Sequence, residues 1–502
     1  MLKFTVRVHP SKEKLPKEKQ LAWALARLAH HNTQIDKEAA EMVGNRMIDN
    51  AAVALSAIHR PPVVTARNQA LAHPRKNGST LFGLPATETF DCEWAAWANN
   101  VAVRELDMHD TFLAADYSHP GDTIPAILAV AQQKKCLGKD LLLGILTAYE
   151  IQMSLVKGIC LHEFKKDHIA HLAPAIAGGI GTLLKLDTDT IFQAINQAVH
   201  LSFSTRQSRK GDISSWKAFA PAFAGKLAIE SVDRAMRGEK SPSPIYEGEE
   251  SVLAWMLGGK EKSYTIFLPE PETPCRSILE SYTKEHSAEY QSQALIDIAF
   301  KLHRQKIDFS QIKEVCIETS HHTHYVIGTG SNDPQKFDPD ASRETLDHSA
   351  MYILAVAWED GRWHHVDSYT KERAHQKSTV ELWKKIRTEE KKEWTERYHH
   401  PDPNQKWFGA EVVVTLKDGI QIRERLENAN AHPNGKKPFG RSQYIEKFRT
   451  LTEGIVTPTE ADRFLSLTEK GTCLTTDQIL GLNPTVKSGL LTGSCRDTQG
   501  IF

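Results

Sequence analysis

Residues 174–181 read Pro-Ala-Ile-Ala-Gly-Gly-Ile-Gly. An earlier stretch, Leu141-Leu142-Leu143-Gly144-Ile145-Leu146, is equally apolar on more than one face. A helix without a polar stripe has no side to offer water, so both segments are expected inside a helix bundle. The Gly178-Gly179-x-Gly181 cluster lacks the spacing and the terminal Lys-Ser/Thr of a phosphate-binding loop. It reads instead as a place where helices approach closely.

Helical periodicity extends outward from these segments through the first half of the chain. In 38–59, Met42, Val43, Met47, Ala51, Leu55 and Ile58 recur at helical spacing, and Pro61-Pro62 ends the run. Further helices are expected at 92–106, 123–135, 139–157, 168–185, 189–203 and 215–237. Asp187 or Thr188 is positioned to cap one of them. Gly238 and Ser241-Pro242-Ser243-Pro244 stop the last. After about residue 270 the texture changes. The runs 312–319, 353–358 and 412–416 read as strands, Asp360-Gly361 and Asp418-Gly419 as hairpin turns, and 287–303 and 378–387 as helices. Helical pattern returns at 442–453. The expected fold is mainly α: a large all-helical domain begun by 1–270, a smaller α+β lid domain over 271–440, and a return to the helical domain at 441–502.

The chain has 502 residues, more than one core usually organises. Lys+Arg number 62 and Asp+Glu 63, which leaves no global positive field for nucleic acid or an anionic membrane. No apolar run approaches the roughly 20 residues that span a bilayer. The N-terminal stretch has no apolar core of a secretory signal, and Glu13 and Glu18 argue against a mitochondrial presequence. Seven sparse cysteines read as reduced thiols of a cytoplasmic protein. No Cys-x-x-Cys element is present to seed an iron–sulfur cluster; the nearest cysteines are Cys473 and Cys495, then Cys136 and Cys160. His321-His322-x-His324 at a strand end lacks a carboxylate partner pattern, so no metal site is expected there.

Four polar islands interrupt the apolar pattern. In 105–122, Asp110 and His119 lie in an acid- and histidine-rich loop, with Asp122 placed to cap the next helix. Free N–H groups at such a helix start favour a carboxylate ligand. Elimination from a carboxylic acid needs a base for the C–H beside the carboxylate and an acid for the departing hydroxide; a near-neutral histidine serves either. His168 stands at the start of an apolar helix. Arg206, Arg209, Lys210 and Lys217 crowd a helix junction, as a trianionic substrate requires. His286 and Glu289 lie at the entry to the α+β region.

The runs D-M-H-D-T…H-P-G at 107–121, R-Q-S-R-K-G-D-I-S-S-W-K at 206–217 and H-S-A-E-Y-Q-S-Q at 286–293 resemble the MmgE/PrpD family, which includes 2-methylcitrate dehydratases and cis-aconitate decarboxylases. The resemblance implies an MmgE/PrpD-like helical domain and lid with the site between them. It carries the family's acid/base and binding positions to Asp110, His119 and His168, and its pocket lysine to Lys217. It implies dehydration of 2-methylcitrate to 2-methyl-cis-aconitate in propionate breakdown, without an iron–sulfur cluster or other cofactor, in a homodimer. Arg206, Arg209, His286 and Glu289 are then expected to bind a small tricarboxylate. Decarboxylase relatives place a histidine where this chain has Glu289, which favours dehydration over the alternative, decarboxylation of cis-aconitate. A non-catalytic helical scaffold that binds a metabolite is the alternative of another class, although a pure scaffold has no need of the polar islands.

Overall fold

In a computed structural model the protein is described over residues 1–210, 213–491 and 500–502. The first part of the chain forms β1 (Leu2–Arg7), α1 (Leu21–His31), α2 (Lys37–Ser56), α3 (Pro61–Leu71), β2 (Pro74–Ser79), α4 (Cys92–Glu105), β3 (Phe112–Leu113), β4 (Tyr117–Ser118), α5 (Ile124–Gln133), α6 (Gly138–Gly158), α7 (Ile169–Leu183), α8 (Thr188–Ser202), α9 (Trp216–Met236), the short α10 (Val252–Met256) and β5 (Ser263–Leu268). Asp36 and Asp187 cap α2 and α8, each side chain accepting a backbone N–H of the first turn. β1 and β5 pair antiparallel, tying the N-terminal strand to the end of this part.

The glycines of α7 have separate neighbours. A Cβ on Gly179 would come within 2.6 Å of the Gly144 carbonyl oxygen in α6, and one on Gly144 within 2.8 Å of the Gly179 carbonyl. Gly178 faces Ile151 of α6, and Gly181 faces Ile191 of α8. The run thus lets α7 sit close against two helices at once. One hydrophobic core extends from Val6 through these helices to Ile278 and takes in Tyr444, Phe448 and Phe464 from the helices Arg441–Leu451 and Pro458–Lys470. The latter segments therefore pack on the bundle, where Lys447 donates to Asp49 of α2.

A second core runs from Ala288 to Ala429. It is built on the sheet β7-β6-β8-β9, comprising β6 (Ile312–Thr319), β7 (Ile386–Glu390), β8 (Ala410–Leu416) and β9 (Gln421–Leu426). β6 and β7 pair parallel; the other neighbours pair antiparallel. The helices include α11 (Gln293–Arg304), α12 (His321–Val326), α13 (Arg343–Leu346), α14 (Ala350–Asp360) and the short Lys371–Ala374, Lys377–Trp383 and Lys392–Tyr398, with α11, α14 and Lys377–Trp383 among those that contribute to the core. A small cluster of Leu113, Tyr282, Tyr290, Tyr398 and Phe408 lies at the junction of the two cores.

Several local expectations are corrected. Residues 353–358 are helix, not strand: α14 is buried on every side over 350–358, and a uniformly apolar run shows no period that separates the two. Asp360-Gly361 is its stop, with Gly361 at φ +62°, whereas Asp418-Gly419 does turn between β8 and β9. The helix expected from 287 begins at Gln293, after a single 3-10 turn at Tyr290–Ser292. Within 378–387 the helix ends at Trp383 and β7 begins at Ile386. His321, His322 and His324 occupy α12 rather than a strand end. Asp122 does not cap α5; it lies in a 3-10 turn, its Oδ1 3.0 Å from His109 Nε2. Cys495 lies outside the described residues, and the other six cysteines are free. Among the described residues no helix is long and apolar enough to cross a membrane.

The α6–α7 contact yields a first prediction. Gly179→Ala forces a methyl onto the Gly144 carbonyl, a backbone atom that moves only with its helix. Overpacking of this kind costs about 1–3 kcal/mol. Urea unfolding should show that loss; an unchanged midpoint would mean the helices do not approach as described.

Candidate active site

The loop from α4 to α5 is organised by a carboxylate it buries. Asp110 is fully buried; Oδ1 accepts the Gly121 N–H at 2.7 Å and Oδ2 accepts the Tyr149 hydroxyl at 2.8 Å. Arg46 Nε stands 3.4 Å from Oδ2. Gly121 is required here, because a Cβ would meet Asp110 Oδ1 at 2.7 Å. Between Asp110 and Gly121 the chain makes the β3–β4 hairpin, closed by Thr111 Oγ1 donating to the Ser118 carbonyl. His119 follows directly. Its Nδ1 lies 3.0 Å from the Asp110 backbone carbonyl. A carbonyl only accepts, so Nδ1 carries the hydrogen and Nε2 keeps the lone pair. Burial, reinforced by Arg104 and Lys284, holds His119 well below the usual histidine range despite Asp107. The ring is a neutral base at physiological pH.

His119 lines a tight recess of about 40 Å³ together with His168, Arg206, Arg209, Lys284 and Glu289. The His119 and His168 rings are 5.6 Å apart. His168 Nδ1 is 3.1 Å from Asp167 Oδ1, and Asp167 Oδ2 accepts from Arg209 Nε at 3.2 Å. Against the push of burial, Arg209 and His168 hold the Asp167 carboxyl well below its usual range. Arg206 stacks over Tyr117, 5.3 Å from the ring centre, and burial with the neighbouring Arg209 brings it down to about 10. Among the described residues, Arg206 Nη1 and Arg209 Nη2 are buried without a hydrogen-bond partner. Buried donors of this kind are expensive to leave unpaired, and a carboxylate would complete both. From the second core come His322 and Val326 of α12, together with Lys336 and His348. Lys336 donates to the His348 carbonyl at 2.8 Å and is brought down to about 8 by burial. Arg206, Arg209, His322, Val326 and Lys336 also line a neighbouring cavity of about 880 Å³.

A dense ionic network forms part of the recess wall and continues behind it. Asp107, at φ +49°, meets Arg104, Lys284 and Lys217, the last at 2.9 Å. These cations outweigh burial and hold its carboxyl well below the usual range. Lys217 Nζ also reaches Asp347 Oδ1 and Oδ2 at 3.0 and 2.9 Å. Asp107, Asp347 and His348 bring ligand-type atoms within 4.8 Å of one another. The Lys217 ammonium bonds both carboxylates, so a positive charge already occupies that cluster.

Of the residues singled out in the sequence, His119, His168, Arg206, Arg209 and Glu289 line one recess. Asp110 stands behind it as an anchor, and Lys217 is engaged with two aspartates. His286 is apart, in a group with Glu285 and Asp297, its ring pushed to about 4 by burial. Gly211 and Asp212 of the basic run lie outside the described residues. Sequence reasoning did not assign Arg104, Asp107, Lys284, Lys336 or His348. Arg104 and Asp107 did leave a trace: charges spaced i,i+3 at the end of an apolar helix. Lys336 and His348 sit in an aperiodic stretch and left none.

The network makes a second prediction. Lys217→Met removes a cation from Asp107, which keeps Arg104 and Lys284, and from Asp347, whose other partners are His348 and Arg343, the latter at 3.4 Å. Breaking a buried pair costs about 3–5 kcal/mol. Adding Asp347→Asn should recover part of that loss in urea unfolding, and strict additivity of the two substitutions would exclude the pairing.

Comparison with known proteins agrees with this architecture. Residues 19–265 match the MmgE/PrpD N-terminal domain and residues 286–470 the MmgE/PrpD C-terminal domain. A mitochondrial 2-methylcitrate dehydratase of Yarrowia lipolytica is 26% identical over 381 residues, covering 72% of this chain and 71% of its own. A 2-methylcitrate dehydratase of Salmonella typhimurium is 25% identical, covering 73% and 76%. An alkylcitrate dehydratase of Talaromyces stipitatus is 24% identical, covering 80% and 83%. With both domains matched over most of its length, the chain belongs to the MmgE/PrpD family.

Proposed function

We propose that the protein is a hydro-lyase that dehydrates 2-methylcitrate to 2-methyl-cis-aconitate. The observation that carries this reading is the fixed tautomer of His119 beside unpaired arginine donors: a neutral imidazole with its lone pair on Nε2, in a recess lined by cations. Arg206, Arg209, Lys284 and Lys336 neutralise the substrate carboxylates. That makes the neighbouring C–H more acidic and stabilises the enolate-like charge that develops as the proton leaves. His119 Nε2 takes that proton. His168, held against Asp167, packs beside it and orients the substrate. The recess is smaller than a tricarboxylate, so binding parts its walls. One wall belongs to the second core, and its return excludes water.

The relatives' names support the methyl substrate, and the neighbouring cavity of about 880 Å³ favours a further point. Ala114, Ala115, Phe164 and Tyr398 give it apolar wall, so a substituent longer than methyl has somewhere to go. The named alkylcitrate dehydratase fits that reading.

The test is incubation of chelator-treated protein with 2-methylcitrate, longer 2-alkylcitrates, citrate and cis-aconitate. Unsaturated acid is followed by ultraviolet absorbance and carbon dioxide by trapping. Absorbance should rise with the alkylcitrates; gas from cis-aconitate with no rise from the saturated acids would assign decarboxylation instead. His119→Ala should lower kcat by at least about 10²-fold, the usual contribution of a positioned base. The thermal transition should hardly move. Full turnover in that variant would remove His119 from the mechanism.

A further inference from the structure

Two carboxyl groups line the recess, Asp107 and Glu289. They differ in company. Asp107 is gripped by Arg104, Lys217 and Lys284 and is an anion at any working pH. Glu289 makes no ion pair among the described residues. Its Oε2 accepts the Gln291 N–H at 2.7 Å, and its own N–H donates to the Asp347 carbonyl at 3.0 Å. The residue is therefore fixed at the start of the turn before α11, where it lines the cationic recess.

We propose that Glu289 is the acid of the dehydration: its carboxyl lines the recess without a cation of its own and gives its proton to the departing hydroxyl. This rests on the dehydratase reading above. The step balances without a further reactant. His119 Nε2 removes the C–H proton, and that electron pair becomes the C=C bond. The C–O bond breaks, its pair leaves with oxygen, and the Glu289 O–H proton converts the leaving group to water. Imidazolium and carboxylate then return to their starting forms by exchange with solvent.

The other groups in the recess are less suited. The imidazoles of His119, His168 and His322 are all kept neutral by burial. His348 is bound to Asp347 and lowered to about 4. Burial brings Glu289 up to about 7 even though Lys284 pulls it down, so a substantial share of it is protonated at neutral pH. The charged and titratable groups that act on it are Lys284 and Asp107, Lys336, Tyr290 and Tyr398. Lys336, at about 8, and Lys284, lowered by burial but held to Asp107, are competitors for the role among the recess cations.

The decisive probe is the substrate analogue with fluorine in place of the departing hydroxyl, because fluoride leaves without protonation. In the wild-type protein, kcat/KM on the hydroxy acid should fall as pH rises through about 7, since the acid must be protonated, and the fluoro analogue should show no such limb. Glu289→Gln preserves the acceptor for Gln291 but cannot give up a proton. It should lose at least 100-fold on the hydroxy acid and less than about threefold on the fluoro analogue. His119→Ala should fail on both. Equal losses on the two substrates, undiminished turnover, or a wild-type alkaline limb that the fluoro analogue shares in full would overturn the assignment. Should the variant fail to fold, the two wild-type pH profiles decide alone. Wild-type protein that eliminates neither water nor fluoride from any tricarboxylate would instead overturn the dehydratase reading, and this inference with it.

Discussion

A single buried carboxylate, Asp107, gathers charges from distant parts of the chain. Arg104 reaches it from the end of α4, Lys217 from α9 and Lys284 from the segment that leads into the second core. Lys217 then passes the connection to Asp347, which belongs to the second part. Charges buried this deeply are costly unless each meets its opposite, so the two cores hold their register only when the whole set is assembled. The recess forms on the face of this network. Its shape is thus in part a consequence of ion pairing.

The arrangement separates holding from reacting. The network absorbs Asp107, Asp347 and Lys217, while among the described residues Arg206 Nη1 and Arg209 Nη2 stay unpaired and Glu289 makes no ion pair. Unpaired polar groups normally disappear from protein interiors because they weaken the fold. Here they converge on one small space beside two neutral imidazoles, which is what a polyanionic ligand would complete.

Much of this was legible in the sequence wherever a periodic signal existed. The apolar faces of α6 and α7 and the glycines between them announced a bundle, and Asp187 announced its cap. The residues of the recess that could be found lay in compact polar islands: His119, His168, Arg206, Arg209 and Glu289. What was missed has a physical reason. Residues 353–358 are apolar in every direction, so helix and strand look alike. Lys336 and His348 reach the site from irregular chain, where only tertiary packing decides position. Nor does the sequence show that two aspartates, one of them 130 positions away, hold Lys217.

His119 is held through the main chain. The oxygen that fixes its tautomer is the carbonyl of residue 110, while the Asp110 side chain points the other way, to Gly121, Tyr149 and Arg46. The contact that fixes the tautomer therefore depends on the path of the backbone at residue 110 and not directly on the side chain carried there. The basicity of the site is written into the course of a loop, and the acid that stands out most in the motif acts as the peg around which that loop is wound.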